Sequence, residues 1–101
     1  MTKIEAIIES IKHWINDILP NPEKAHRNDL HLSHHCPLCQ WSNTNCDICP
    51  VYEKTQKPSC IGSPWMNFNR NPNQENAIKE IIFLLNILPK VLKEYKEKLK
   101  N

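Results

Sequence analysis

Two stretches of the chain carry a helical pattern of apolar residues. The first stretch repeats isoleucine at intervals of three or four positions, at Ile4, Ile8, Ile11, Ile15 and Ile18. With Ile7 and Trp14 widening the stripe, this spacing predicts an amphipathic helix over residues 3–19. We expect Thr2 to cap this helix, and Pro20 and Pro22 to end it and extend the chain.

The second helical stretch covers residues 73–100. Its apolar positions trace one face, made of Ile78, Ile81, Ile82, Leu85, Leu88, Leu92, Tyr95 and Leu99. Phe83, Leu84 and Ile87 make the first half apolar almost all round, which predicts that this half is buried. Asn71 or Asn73 can cap the helix.

Pro89 interrupts the second helical stretch. Proline lacks the backbone N–H and its ring clashes with the preceding turn. We therefore expect either a kink at this point or a break into two helices, 74–88 and 90–100.

Residues 20–72 show neither helical nor strand periodicity over a long window. A structureless stretch of this length inside one domain needs a cross-link or a metal to order it. Five cysteines lie there, within the cysteine-rich region 30–66. The pattern predicts a mainly α fold, as one domain over residues 1–101. Its N-terminal and C-terminal amphipathic helices pack together, with a loop-rich, metal-stapled cysteine region between them.

The cysteines form two close pairs. Cys36 and Cys39 enclose two residues, and so do Cys46 and Cys49, with six residues between the pairs. Two intervening residues allow both thiolates of a pair to face one ion, and two pairs complete a four-sulfur tetrahedral shell. The competing interpretation is that the pairs are redox or simply buried thiols. A redox C-x-x-C motif, however, normally follows a strand in a βαβ unit, and no such unit is indicated here.

The metal has two candidates. Zinc is the ordinary occupant of a closed four-cysteine site. An iron–sulfur cluster also binds four thiolates, and its motifs often place proline after a ligand, as Pro50 follows Cys49 here. We expect zinc, with the iron–sulfur cluster as the alternative.

Cys60 is the fifth cysteine, ten residues or more beyond both pairs. It is a tentative fifth ligand residue, which could replace one of the other four, support the site from outside the shell, or be buried as a small apolar side chain. His31, His34 and His35 precede the first pair, but four cysteines already complete a shell. For the three histidines the simpler interpretation is a polar loop.

Trp41, Trp65 and Phe68 flank the cysteines. They are expected to cover the metal as an apolar lid, and Trp65 and Phe68 are also candidate exposed anchors for a partner. No catalytic arrangement of side chains can be identified. With a single glycine in the chain there is no glycine-rich phosphate loop, and a metal-dependent nuclease would need a His/Asp/Asn set that the pattern does not provide.

Composition limits the kinds of partner that the chain is expected to bind. The net charge of +2 is too small to indicate a nucleic-acid partner by itself, which leaves nucleic acid weakly supported. No apolar run is long enough to span a bilayer, and the first residues lack the apolar core of a signal peptide, so we expect no membrane partner and a cytoplasmic location.

The cysteine motifs resemble those of a group of small five-cysteine bacteriophage and prophage proteins of unknown function. That group combines a C-x-L-C pair, a C-x-x-C-P-V/I pair and a later C-x-G/N-T-P-Y/W element. This chain has Cys36-Pro-Leu-Cys39, Cys46-Asp-Ile-Cys49-Pro50-Val51 and Cys60-Ile-Gly-Ser63-Pro64-Trp65. The resemblance covers about residues 36–89, with Ser63 and Trp65 where threonine and tyrosine are commoner. It implies a mobile-element origin and a host-cytoplasmic protein, but no activity.

These observations together favour a small metal-binding accessory protein. A site saturated by thiolates leaves no open position for substrate, so we expect a binding role with a protein partner rather than an enzyme. An iron–sulfur redox or sensing protein is the alternative.

Overall fold

The computed structural model describes residues 2–32, 35–43, 50 and 62–100, with no side-chain description at 94, 95 and 98–100. Its helices are α1 (Lys3–His13), α2 (Pro22–Arg27), α3 (Pro37–Trp41), α4 (Pro64–Arg70) and α5 (Gln74–Lys100). A π-helical turn, Trp14–Ile18, continues α1. The described residues contain no strand, so the mainly α prediction is confirmed.

Helix α1 begins with the predicted cap. The Thr2 hydroxyl accepts a hydrogen bond from the Glu5 backbone N–H at 3.1 Å, and the Glu5 carboxylate accepts one from the Thr2 N–H at 3.3 Å. This reciprocal pair is a capping box, which satisfies two backbone donors that the first turn leaves open. The prediction of Thr2 as N-cap is confirmed.

The buried face of α1 differs from the predicted stripe. Ile7, Ile11, Trp14 and Ile18 are buried, whereas Ile15 is 43% exposed. Trp14 is the largest side chain of the segment, and its ring packs edge-on against Phe68 with centroids 5.0 Å apart. The π-helical turn that follows, closed by the Leu19 N–H on the Trp14 carbonyl at 2.8 Å, keeps Ile18 on the same side. Ile15 is therefore left outside the core.

The prediction of an unstructured middle is wrong for three described segments, because α2, α3 and α4 all lie within residues 20–72. Each begins with proline at its first position, where the missing N–H costs nothing and the fixed φ suits a helix. Asn21 and Ser63 cap α2 and α4, accepting from the Lys24 and Trp65 backbone N–H groups. Pro22 therefore starts a helix instead of extending the chain.

Helix α5 passes through Pro89 as one helix of 27 residues, so the predicted alternative of two separate helices is wrong. The carbonyl that Pro89 leaves without an intrahelical donor belongs to Leu85, and both residues are exposed. Water can therefore satisfy that carbonyl. At the other end, the Asn73 side chain accepts from the Asn76 N–H at 2.8 Å, which confirms Asn73 as the cap.

The core lies where α5 meets α1 and α4. Helix α5 contributes one buried face, made of Ala77, Glu80, Ile81, Leu84, Ile87 and Val91. Phe68 of α4 is fully buried and fills the space between these helices. The prediction that the first half of α5 is buried all round is wrong, because Ile78, Ile82 and Leu85 are exposed. A helix that packs against neighbours on one side buries the residues of that face and leaves the opposite face exposed.

Within the described ranges, no helix is both long enough and apolar enough to span a membrane.

Candidate metal centre

Helix α3 brings the first cysteine pair together. Cys36 is the N-cap residue, in an extended conformation with φ −88° and ψ 116°, and Pro37 starts the helix. Cys39 lies one turn further on, so its side chain faces back toward Cys36, as residues three apart do on a helix. Both thiols are half-buried. The pair therefore offers two sulfur donors on one side of the helix start.

The surroundings of Cys36 favour its thiolate form. A hydrogen bond from the Cys39 side chain, together with the backbone N–H groups of Cys39 and Leu38 and the Ser10 hydroxyl, lowers the pKa of Cys36 to about 6, although burial opposes this change. Hydrogen bonds to the charged form favour ionisation. Since metals bind the thiolate, these contacts prepare Cys36 as a ligand at neutral pH.

Ser10 fixes the pair to helix α1. Its hydroxyl oxygen accepts a hydrogen bond from the Leu38 backbone N–H at 3.2 Å, and the contact is buried. Ser10 is 1% exposed and Leu38 is 2% exposed. Because Leu38 lies between the two cysteines, this contact sets where the C-x-x-C turn sits on the core. The position of the pair is thus held by two elements distant in sequence.

Glu80 of α5 is a second buried group in this region. It is only 3% exposed, and its Oε2 atom has no hydrogen-bond partner among the described residues. Burial, reinforced by the negative charge of Cys36, raises the pKa of Glu80 to about 8, and the Trp65 backbone N–H opposes that shift. A carboxyl group buried near a thiolate needs either a proton or a cation to balance its charge.

Two members of the predicted ligand set therefore lie together in the described part of the chain. Cys36 and Cys39 supply two soft donors, with the Cys36 thiol poised to ionise. The Oε2 atom of Glu80 has no hydrogen-bond partner among the described residues, and a nearby cation would balance the negative charge of this carboxyl group if it ionised.

The rest of the predicted ligand set lies outside the described residues. This holds for Cys46, Cys49 and the tentative Cys60, and also for His34. Within the described part of the chain, no group of three or more His, Cys, Asp or Glu side chains is arranged to hold a metal ion. The four-cysteine site and its staple remain predictions.

His31 belongs to the core, so the polar-loop interpretation is wrong for this residue. It is 5% exposed, and its ring stacks on His26 with centroids 4.6 Å apart. Its Nε2 lies 2.9 Å from the Asn69 side-chain oxygen, and His26 Nε2 lies 3.1 Å from the Asn69 carbonyl. These contacts join the loop after α2 to helix α4. His35, beside Cys36, is exposed.

The aromatic residues that flank the cysteines make their contacts within the protein. Phe68 is fully buried, so it cannot be an exposed anchor, and that prediction is wrong. Trp65 is half-buried, and its indole N–H donates to the His31 carbonyl at 2.7 Å. Trp41 of α3 is partly buried and packs against the core. Trp65 contacts His31 because α4 packs against the loop that follows α2.

Sequence reasoning missed Ser10 and Glu80. Each is a polar residue at a position where the helical pattern requires burial, Ser10 beside Ile7 and Ile11, and Glu80 beside Ala77. A polar residue inside a buried stripe needs a specific partner, and that signal could have singled out both. No family model, curated protein or solved structure matches this chain.

Proposed function

We propose that this chain is a small zinc-binding accessory protein that acts by binding a macromolecule. One zinc ion would be held by Cys36, Cys39, Cys46 and Cys49, and would supply structural order rather than chemistry. The observation that carries this proposal is the contact between the Cys36 and Cys39 side chains at the start of α3, which lowers the pKa of Cys36 to about 6.

The anchoring of this pair supports a structural role for the metal. The turn that carries both thiols is hydrogen-bonded to Ser10 of α1, and the Leu38 side chain packs in the core. A metal bound there would join the segment after α3 to a rigid part of the fold. A shell of four thiolates has no open position for substrate or activated water, which favours function by contact.

The resemblance to five-cysteine phage and prophage proteins supports an accessory role in a host cell, with a protein partner. Nucleic acid remains a weaker candidate because the chain carries a net charge of only +2. Cys60 is a further candidate ligand, with support from outside the shell or simple burial as its alternatives. An iron–sulfur redox or sensing protein is the alternative that the same four thiolates could build.

The test of this proposal compares partner binding with metal content. The wild-type protein and the Cys39→Ser variant are each immobilised and exposed to host lysate, and their metal content and helical circular dichroism are measured in parallel. We expect the wild-type protein to retain a protein partner that the metal-free variant loses, while α1 and α5 keep their helical signal. Turnover of a nucleotide, nucleic acid or redox substrate by the purified protein would contradict a binding role.

A further inference from the structure

Helix α5 carries a second apolar face that the described residues leave uncovered. We name it the outer stripe, and it consists of Ile78, Ile82, Leu85, Pro89 and Leu92. Ile82 is 51% exposed, Leu85 47% and Ile78 45%. Four of the five exposed large apolar side chains in the described part of the chain lie on this stripe, and Ile15 is the other. Such clustering on one helix differs from the scattered exposure of a typical surface.

The spacing of the outer stripe is that of a helix–helix seam. Its members follow one another at intervals of four, three, four and three residues. This repeat averages 3.5 residues, which keeps apolar side chains along one line and suits packing against another helix. The stripe lies beside the face of α5 that packs on α1 and α4, so α5 can contact both its own core and a further helix.

The charges at the two ends of the stripe indicate the partner. Continuing the same spacing by one step reaches Glu75 before Ile78 and Lys96 after Leu92, and both are exposed. In an identical helix running in the opposite direction, Glu75 of one copy would lie beside Lys96 of the other, twice by symmetry. A parallel arrangement would place like charges together. Helix dipoles also favour the antiparallel arrangement.

We propose that two copies of this chain associate through the outer stripe of α5, with the two helices antiparallel and centred near Leu85. The contact is isologous, so both copies use the same surface. Because it involves one helix from each copy, it is smaller than a standard stable interface, and we expect association in the micromolar range of Kd, on the order of 10–100 μM. The proposal does not depend on the metal.

Sedimentation equilibrium over a concentration series tests this proposal on the full chain. We expect the wild-type protein to shift from monomer to dimer with concentration, and Leu85→Glu to remain monomeric. Leu85 is exposed, so circular dichroism and thermal melting at low concentration should stay unchanged in the variant. Lys90→Glu is the matched control, since Lys90 is exposed on the same helix but lies away from the stripe.

Charge reversal tests the direction of the two helices. Glu75→Lys and Lys96→Glu should each raise the dimer dissociation constant about threefold to tenfold, and the double variant should recover the wild-type value. Glu75 also pairs with Lys79 at 3.3 Å within its own helix, and the single variants are therefore compared at equal helical content. A wild-type protein that stays monomeric up to about 1 mM, well above the Kd proposed for a one-helix contact, would overturn the proposal. A dimer that survives Leu85→Glu, or a double variant that fails to recover, would do the same.

Discussion

The hydroxyl oxygen of Ser10 accepts a hydrogen bond from the backbone N–H of Leu38 at 3.2 Å, although the two residues are 28 positions apart. Leu38 is the residue after Pro37 in the turn that holds Cys36 and Cys39. One buried contact therefore connects the middle of α1 with the candidate metal ligands. It also gives the Leu38 backbone N–H, one of the open donors at the start of α3, an oxygen acceptor in addition to the Cys36 sulfur.

The Ser10→Ala variant should lose stability because the Leu38 N–H would lose its oxygen acceptor and Cys36 would lose its contact with the Ser10 hydroxyl. We expect a loss of about 1–2 kcal/mol in the free energy of unfolding, since the better helix propensity of alanine offsets part of the cost. Urea denaturation followed by circular dichroism measures this difference. The neighbouring Glu9→Ala variant is the control, because Glu9 is exposed and should change stability by less than about 0.5 kcal/mol. Equal stability of both variants would show that the Ser10 contact contributes nothing.

The Phe68→Ala variant tests the centre of the core. Phe68 is fully buried and meets the Trp14 ring edge-on at 5.0 Å, so its removal leaves a cavity between α1, α4 and α5. We expect a loss of about 3–5 kcal/mol and a change in tryptophan fluorescence as Trp14 loses its neighbour. Ile15→Ala, at a position 43% exposed, should cost less than about 1 kcal/mol. If Phe68→Ala were as mild as Ile15→Ala, Phe68 would not be a core residue.

Local signals in the sequence predicted where the two long helices begin. The buried faces of those helices depend instead on contacts between residues that are distant in sequence. Thr2 and Asn73 cap through residues three positions away, so their roles can be inferred from the sequence alone. The short helices α2 and α4 were missed because residues 20–72 show no helical periodicity over a long window, and Pro22 was interpreted only as extending the chain. Their preceding Asn21 and Ser63 caps carried the contrary signal.

The candidate site was likewise predictable only in part from local sequence. The spacing of Cys36 and Cys39 predicted that the thiols would meet, and they do. Ser10 and Glu80, by contrast, reach this region only because α1 and α5 pack together there. No property of residues 30–66 alone could have identified them, since the contact depends on which faces the two helices bury.

Stability should depend on pH through His31. Burial lowers the pKa of His31 below its ordinary value, with the charge of His26 acting in the same direction and Asn69 and Asp29 opposing it. The unfolded chain therefore binds this proton at higher pH than the folded chain does. The contribution of His31 is fully present above its ordinary pKa of about 6.5 and is lost as the pH falls toward the lower folded value.

Replacing His31 should remove its contribution to the pH dependence. Between about pH 7 and pH 5 we expect acid to lower the stability of the wild-type protein relative to that of His31→Gln, because glutamine does not titrate, while the opposite contribution of Glu80 is common to both proteins. Denaturation midpoints of both proteins at several pH values measure this difference. Any effect of acid on the metal is common to both proteins and cancels in the comparison. Identical slopes for His31→Gln and the wild-type protein would contradict the prediction.

Metal binding should decide whether the segment after α3 resists proteolysis. Cys39→Ser removes one proposed ligand, so we expect loss of metal and new cleavage within residues 44–61. Cys60→Ser should keep its metal if Cys60 is buried or lies outside the shell, and lose it if Cys60 is a ligand. Limited proteolysis with mass spectrometry of the fragments compares the two variants directly. A Cys39→Ser variant that retained both its metal and its melting temperature would show that Cys39 is not a ligand.

The metal content of the purified wild-type protein is the most direct measurement of the proposed site. Elemental analysis, together with the absorption spectrum of aerobically purified protein, gives the identity and the number of metal ions per chain. We expect a colourless protein with close to one zinc ion per chain, because one shell of four thiolates holds one zinc. A brown protein containing iron and sulfide, or a folded protein without bound metal, would contradict a structural zinc site at Cys36, Cys39, Cys46 and Cys49.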